Sequence, residues 1–313
     1  MTAVRRTGSR GRTAARAALP VFNRRRARFI ALCLLPGVVF VAVFTYYPMI
    51  RGGVIAFQRY DLFDLTSTPF TGLANFRAVL ADAQFWTALR NTGTWVAVSL
   101  LLQFTLGFGL ALLLRRHFRG RGLYQAWVFF PWAMSGFLIG LLWRWMFNGE
   151  FGVVNDLLVK AGLVDEPIGF LSTPGWAMTA IIIANVWYGV TFFAIMIIAA
   201  LQSVPRELYE AAAVDGASRF GQFRNVTLPS IRTTLVLIVL LRVIWILNFP
   251  DLIYAMTGGG PAGSTHIATT YLIEQVQNGD YGKAGAVGVF VLGLLLSFSI
   301  FYLTATRFEK ARD

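Results

Sequence analysis

The side chains of this chain that could do chemistry are few, and most are embedded in apolar sequence. Arg242 and Asp251 fall in one apolar stretch with Trp245 and Asn248 between them; Asn185, Trp187, Tyr188 and Thr191 fall in another. An ionisable or amide group inside a long apolar stretch is costly, so each marks a candidate pathway for a polar solute. Aromatic rings stack on the apolar faces of sugars while amides and charges bond hydroxyls, so these types fit a carbohydrate path as well as simple packing. On one continuous helix Arg242 and Asp251 would stand on roughly opposite faces, so no direct pair is expected between them. Arg144, flanked by Trp143 and Trp145, is expected to snorkel to an interface.

Catalysis finds no comparable constellation. A phosphate-cradling P-loop needs a glycine-rich turn, a lysine and a hydroxyl residue. Lys283 follows Gly282, but Ala284 stands where the hydroxyl is required, and the Gly258–Gly259–Gly260 run is followed by Pro261. His117 and His266 are expected on opposite sides of a membrane, which excludes a shared metal site. Cys33 is alone, so no intrachain disulfide can form. The chain is therefore expected to be non-enzymatic, with no metal and no cofactor of its own.

The elements that must position these residues are membrane helices. Hydrophobic residues make up 56% of the 313 and charged residues 14%, against roughly 25% in soluble domains. Apolar runs long enough to cross a ~30 Å hydrocarbon core as helix recur at about 30–50, 92–114, 123–147, 176–201, 233–256 and 284–306. The expected fold is all-α and integral to the membrane, with six transmembrane helices. The net charge of +13 is not spread over one basic face, which argues against nucleic acid. Nine arginines precede Phe29; Arg115, Arg116, Arg119 and Arg121 follow the second run; Arg206, Arg219, Arg224 and Arg232 follow the fourth; Arg307, Lys310 and Arg312 close the chain. The intervening loops hold fewer basic residues and most acidic ones, a positive-inside alternation that sets both termini in the cytoplasm.

Three segments are expected: a basic, disordered cytoplasmic stretch at 1–28 suited to anionic lipid headgroups, a six-helix domain at 29–306, and a short cytoplasmic tail at 307–313. The first apolar run is too long for a signal-peptide core and is expected to stay as an anchor.

Between the fourth and fifth runs, residues 202–232 form a polar loop. Pro205 suits a helix start, and Glu207 and Glu210 suit the positive end of its dipole. Leu208, Ala211, Ala212 and Val214 supply an apolar side, Gly216 ends the helix, and Pro229 restrains the chain before the next run. The order Glu210-Ala211-Ala212, Asp215-Gly216-Ala217, then Leu228-Pro229 resembles the EAA loop of permease subunits of binding-protein-dependent ABC importers, with Val226 at the usual isoleucine. Gly72-Leu73-Ala74-Asn75-Phe76 is similar to that family's GLxNF, Gly152 to Asn155 to its GxxN, and Thr257 to Pro261 to its TxGGP.

The resemblance implies a type I ABC importer permease of the carbohydrate-uptake branch, multi-pass in a bacterial inner or plasma membrane. Glu207, Glu210, Ala211, Ala212, Asp215, Gly216, Leu228 and Pro229 would couple it to a separate ATPase dimer, which binds ATP and Mg. A second permease of similar fold and an extracytoplasmic solute-binding protein would be its other partners. Counting from the motifs of the maltose importer, the solute path would be lined by Tyr188, Gly189, Phe192, Arg242, Trp245, Ile246 and Phe249. Asn185, Asn248 and Asp251 join that set from their residue types. An ion-coupled secondary transporter or a membrane scaffold remains the alternative, with Asp251 as its one intramembrane carboxylate.

Overall fold

The computed structural model describes residues 24–64, 66–115 and 118–306. The arginine-rich segment up to residue 23, Arg116, His117 and the tail 307–313 lie outside the described residues, as do the expectations placed on them. The chain divides into two compact units, 1–51 and 52–313. In the first, α1 (Arg24–Val41) continues through a π turn (Ala42–Tyr46) into α2 (Tyr47–Ile55), which runs on into the second.

In the second unit, α3 (Ala74–Ala81) precedes α4 (Ala83–Leu114), the longest α-helix, whose N-cap Asp82 accepts a hydrogen bond from the Gln84 N–H at 2.9 Å. Two shorter helices follow, α5 (Arg121–Phe129) and α6 (Gly136–Met146), then α7 (Val153–Lys160) and the long α8 (Pro174–Gln202). The polar loop carries α9 (Arg206–Val214) and a single turn, α10 (Arg219–Gln222). Beyond it come α11 (Leu228–Leu247), α12 (Pro250–Thr257), α13 (Ala268–Gln277) and α14 (Tyr281–Ala305).

Five helical segments of the described residues are long and apolar enough to cross a membrane, and α5 with α6 makes a sixth if counted as one span. That pair departs from the single helix expected over 123–147: it is bent by 103°. Pro131 lies in a 3₁₀ turn (Phe130–Ala133), Met134 is extended, and Ser135 caps α6 by accepting from the Leu138 N–H. The helix expected over 233–256 is likewise broken, at Asn248 and Phe249, because Pro250 has no N–H to continue the ladder and starts α12 instead. The carbonyl that Pro250 leaves open, on Ile246, accepts a hydrogen bond from the buried Trp95 indole at 2.9 Å. Thr269 donates to the neighbouring Leu247 carbonyl at 3.3 Å, and Thr191 donates to Val128 beside the other break at 2.7 Å. Both interruptions are thus stabilised by side chains from other helices, as buried backbone requires.

Two further prolines near helix starts are accommodated differently. Pro48 and Pro229 each stand two residues beyond a π turn, Ala42–Tyr46 and Phe223–Thr227. The wider turn absorbs the missing donor and the ring's clash with the preceding turn. Pro229 therefore does not separate loop from span as expected, since helix runs from Arg219 into α11.

The core is organised around α4 and α8. Gly107 lies against Phe193 and the Val190 carbonyl so closely that a Cβ there would come within 2.9 Å of that oxygen. Small residues at such contacts let helices approach where no water-driven force brings them together. The expected loop motifs act as clamps: Asn75 donates to the Ala56 and Gln58 carbonyls at 2.9 and 2.8 Å, and Asn155 donates to Ile168 O while accepting from Ile168 N–H, both at 2.9 Å. Thr265 bonds Thr257 at 2.8 Å and donates to Gly260 O at 2.7 Å, pinning the Gly258–Gly260 turn.

Candidate functional site

Arg242 is 2% exposed yet lines a cavity of about 280 Å³ with Trp132, Tyr188, Trp245, Ile246, Asn248 and Phe249. The last turn of α11 and its break supply four of these residues, α8 supplies Tyr188, and the 3₁₀ turn between α5 and α6 supplies Trp132. Tyr188 is sandwiched: Phe249 stacks on it at 5.3 Å and 5°, Trp132 at 5.3 Å and 12°. Trp132 also contacts Phe192 and Trp245, at 5.4 and 5.8 Å.

The arginine is held by two aromatic ring contacts and by one neutral hydrogen bond. Its guanidinium carbon lies 5.5 Å from the Tyr188 ring centre and 5.8 Å from that of Phe192, within the reach of a cation–π attraction. Its Nε donates to Gln103 Oε1 at 2.6 Å, and Gln103 Nε2 in turn donates to the Asn185 carbonyl at 2.9 Å. No carboxylate of the described residues pairs with it. Gly189 is where the chain makes room: a Cβ there would meet both Gln103 and Arg242.

Of the residues expected to line the path, Tyr188, Arg242, Trp245, Ile246, Asn248 and Phe249 come together at this cavity, and Phe192 and Gly189 lie directly behind it. Asn185 does not reach it. Its side chain is fully buried, and its amide has no hydrogen-bond partner among the described residues. Asp251 is exposed in the first turn of α12, because the break before Pro250 redirects the chain that was read as continuous helix. Trp132 and Gln103 are the two contributors not anticipated. Pro131 beside Trp132 was the available signal for the first, and a polar residue at 103 amid apolar sequence for the second.

A second candidate surface is the polar loop. Pro205 caps α9, and α9 ends as a Schellman motif: Ala217 N–H donates to Ala212 O at 2.9 Å and Gly216 N–H to Ala213 O at 3.1 Å, with Gly216 at φ +79°. The expected apolar side does not pack on the bundle. Leu208 is 45% and Val214 89% exposed, whereas Tyr209 faces the bundle, bonds Thr227 at 3.0 Å and lies under the Arg115 guanidinium at 5.0 Å. Glu207, Glu210, Ala211, Asp215 and Gly216 are exposed, Ala212 is partly buried, and Leu228 and Pro229 are exposed at the start of α11. A cavity of about 500 Å³ beside α9 is lined by Arg115, Arg206 and Arg219, with Tyr209 and Glu210.

At the other end of α4 and α14, Asp82 accepts hydrogen bonds from Lys283 Nζ at 2.8 Å and from the Tyr271 hydroxyl at 2.6 Å. Partial burial would raise the Asp82 pKa, but these donors and the Gln84 N–H hold it down at about 2. The same contact, added to burial, pushes the Tyr271 hydroxyl well above the usual phenol range. His266, beside Glu274 at 3.5 Å, has its pKa lowered by burial against the pull of that carboxylate.

Long apolar helices interrupted around an internal aromatic cavity, with a short exposed helix between two of them, define a polytopic membrane transport component. Residues 103–310 match the family described as binding-protein-dependent transport system inner membrane component, and the chain belongs to it. It is 36% identical over 286 residues to the trehalose/maltose transport system permease protein MalF of Thermococcus litoralis, covering 91% of this chain and 96% of that protein. It is 34% identical over 282 residues to the sulfoquinovosyl glycerol transport system permease protein SmoG of Agrobacterium fabrum, covering 90% and 91%. A chain in the crystal structure of a bacterial ABC transporter that imports the acidic polysaccharide alginate superposes with a TM-score of 0.79 at 28% identity, covering 90% of this chain and 96% of that one. The chain is thus a membrane component of an importer and not its ATPase.

Proposed function

We propose that this protein forms half of the translocation pathway of an ABC importer for a sugar or sugar-like solute. The observation that carries the reading is the cavity itself: Trp132, Trp245 and Phe249 line it, with Tyr188 held between Phe249 and Trp132, beside the guanidinium of Arg242 and the amide of Asn248. That combination stacks on the apolar faces of a saccharide and bonds its hydroxyls. The names of the relatives, a trehalose/maltose and a sulfoquinovosyl glycerol permease, support the same solute class.

In this reading six spans leave both termini in the cytoplasm, and a second permease of similar fold completes the pathway. An ATPase dimer, holding ATP and Mg, docks on α9. Exposed Leu208 and Val214 give the dimer an apolar grip and Glu207 and Glu210 a charged one. The Schellman end at Gly216 and the packed Tyr209 make α9 a stiff lever. An extracytoplasmic solute-binding protein delivers the solute, a role supported by the alginate transporter solved with its periplasmic protein.

The test is ATPase activity of the co-expressed complex in nanodiscs, comparing wild type with Glu210→Lys. The reading expects an ATPase to co-purify with wild type, and the charge reversal to abolish binding-protein-stimulated hydrolysis or to release the ATPase. An ion-coupled transporter would purify without one, and that result would overturn the proposal.

A further inference from the structure

We infer that Arg242 selects solutes by charge, so that the natural substrate is a saccharide bearing an anionic group. This rests on the saccharide reading above and adds to it a sign of charge.

A guanidinium taken out of water costs several kcal/mol unless a charge or a full set of acceptors replaces its hydration. Of its five N–H donors, Nε alone has a hydrogen-bond partner among the described residues, the neutral Gln103 amide at 2.6 Å. The rings of Tyr188 and Phe192 stabilise the cation from 5.5 and 5.8 Å but do not neutralise it. The carboxylate nearest in sequence, Asp251, is exposed on α12 and does not line the cavity. A net positive charge therefore stands at a wall that is otherwise uncharged.

The arrangement also holds that charge in place. Gln103 on α4 and the gap at Gly189 on α8 fix the guanidinium against the cavity, since any side chain at 189 would displace both groups. A planar fork so fixed matches a carboxylate, phosphate or sulfonate through two parallel hydrogen bonds. An uncharged sugar could stack on Trp132 and Trp245 equally well, but would leave the charge uncompensated. The cavity, about 280 Å³, is at the small end of ligand sites and admits one sugar ring at a time.

The test uses the complete importer complex in nanodiscs at constant ionic strength, with two matched pairs of probes: galacturonate against galactose, and glucose 6-phosphate against glucose. Binding is read as quenching of tryptophan fluorescence, with Trp245→Phe identifying the part of the signal that arises at the cavity. The expected result is that the anionic probe of at least one pair acts at a concentration roughly tenfold lower than its neutral partner. In Arg242→Gln that preference should shrink to about twofold or less, and in Arg242→Lys, which keeps the charge but not the fork, an intermediate preference should remain. Basal ATPase activity and gel-filtration elution certify that each variant is assembled. If neutral and anionic probes act alike in wild type, or if Arg242→Gln keeps the preference, the charge assignment is wrong while the saccharide reading stands. If no sugar of either pair quenches the assembled complex, both are wrong.

Discussion

Gln103 accepts a hydrogen bond from Arg242 at 2.6 Å through its oxygen and donates one to the Asn185 carbonyl at 2.9 Å through its nitrogen. One amide on α4 therefore ties α11 to α8, and it is the only polar support the guanidinium has among the described residues. Replacing it by Leu strips a buried charge of its acceptor. The expected loss is roughly 1.5–3 kcal/mol, seen as a lowered unfolding temperature of the detergent-solubilised protein. Gln103→Glu should behave oppositely at the cavity: it supplies the missing counter-charge and removes the preference for anionic solutes. A Gln103→Leu variant as stable as wild type would show that the bond is not what holds Arg242.

Gly189 and Gly93 make an internal comparison between two helical glycines. A Cβ at 189 would meet Gln103 and Arg242, while one at 93 meets nothing within 4 Å. Gly189→Ala is expected to destabilise by roughly 1–3 kcal/mol through overpacking. Gly93→Ala should be neutral or stabilising by up to about 1 kcal/mol, the helix propensity difference. Thermal unfolding of both in one detergent checks the contrast, and equal effects would mean that the close approach at 189 is relieved by movement of α8.

Tyr209 seats α9 through its bond to Thr227 and its contact with Arg115. Tyr209→Phe removes only the hydroxyl, and about 0.5–1.5 kcal/mol of local stabilisation with it. Tyr209→Ala removes the ring as well. The larger change should uncouple the complex, leaving basal ATP hydrolysis in place while binding-protein stimulation falls several-fold. Stimulation undiminished in Tyr209→Ala would mean that α9 is held by its neighbours on the ATPase and not by its own bundle.

Acid stability has a defined sign at Asp82. Its pKa in the folded protein is about 2, below the ordinary value of 3.8. A depressed folded pKa means that the unfolded chain takes up the proton first as pH falls. The stabilisation is complete above about pH 4 and is lost between there and pH 2. Asp82→Asn should be less stable than wild type at neutral pH and should show a shallower decline across that window. Unfolding curves for the two proteins that stay parallel from pH 5 to pH 2 would rule this carboxylate out as the acid-labile contact.

Much of the molecule was legible in the sequence because membrane helices declare themselves by length and apolarity. The runs at 92–114 and 176–201 fall inside α4 and α8, and the run at 284–306 ends one residue beyond α14. The two interrupted helices were not read correctly. Pro131 and Pro250 signal a break, but what makes a break affordable in a membrane is a distant donor such as Thr191 or Thr269. Such pairings across many residues leave no periodic trace. The same holds for Trp132 and Gln103, which are ordinary span residues until the fold sets them beside Tyr188 and Arg242. Asp251 was placed by helical counting, and counting fails where the helix stops. On α9 the apolar side that includes Leu208 and Val214 is legible, but that Tyr209 is the residue seated against the bundle is not, because its partner Thr227 is 18 residues away.

The two interrupted helices touch at their joints. The ring of Phe249, at the gap between α11 and α12, lies where a Cβ on Gly136, at the start of α6, would come within 2.6 Å of it. Further along, Gly140 lies as closely against Leu252 and Ala255. The short segments beyond the breaks, α6 and α12, are therefore meshed like two teeth, with their pivots side by side. Neither can swing without carrying the other, so a force applied at one hinge would be delivered at both, and the stacked rings at Tyr188 would separate in one stroke.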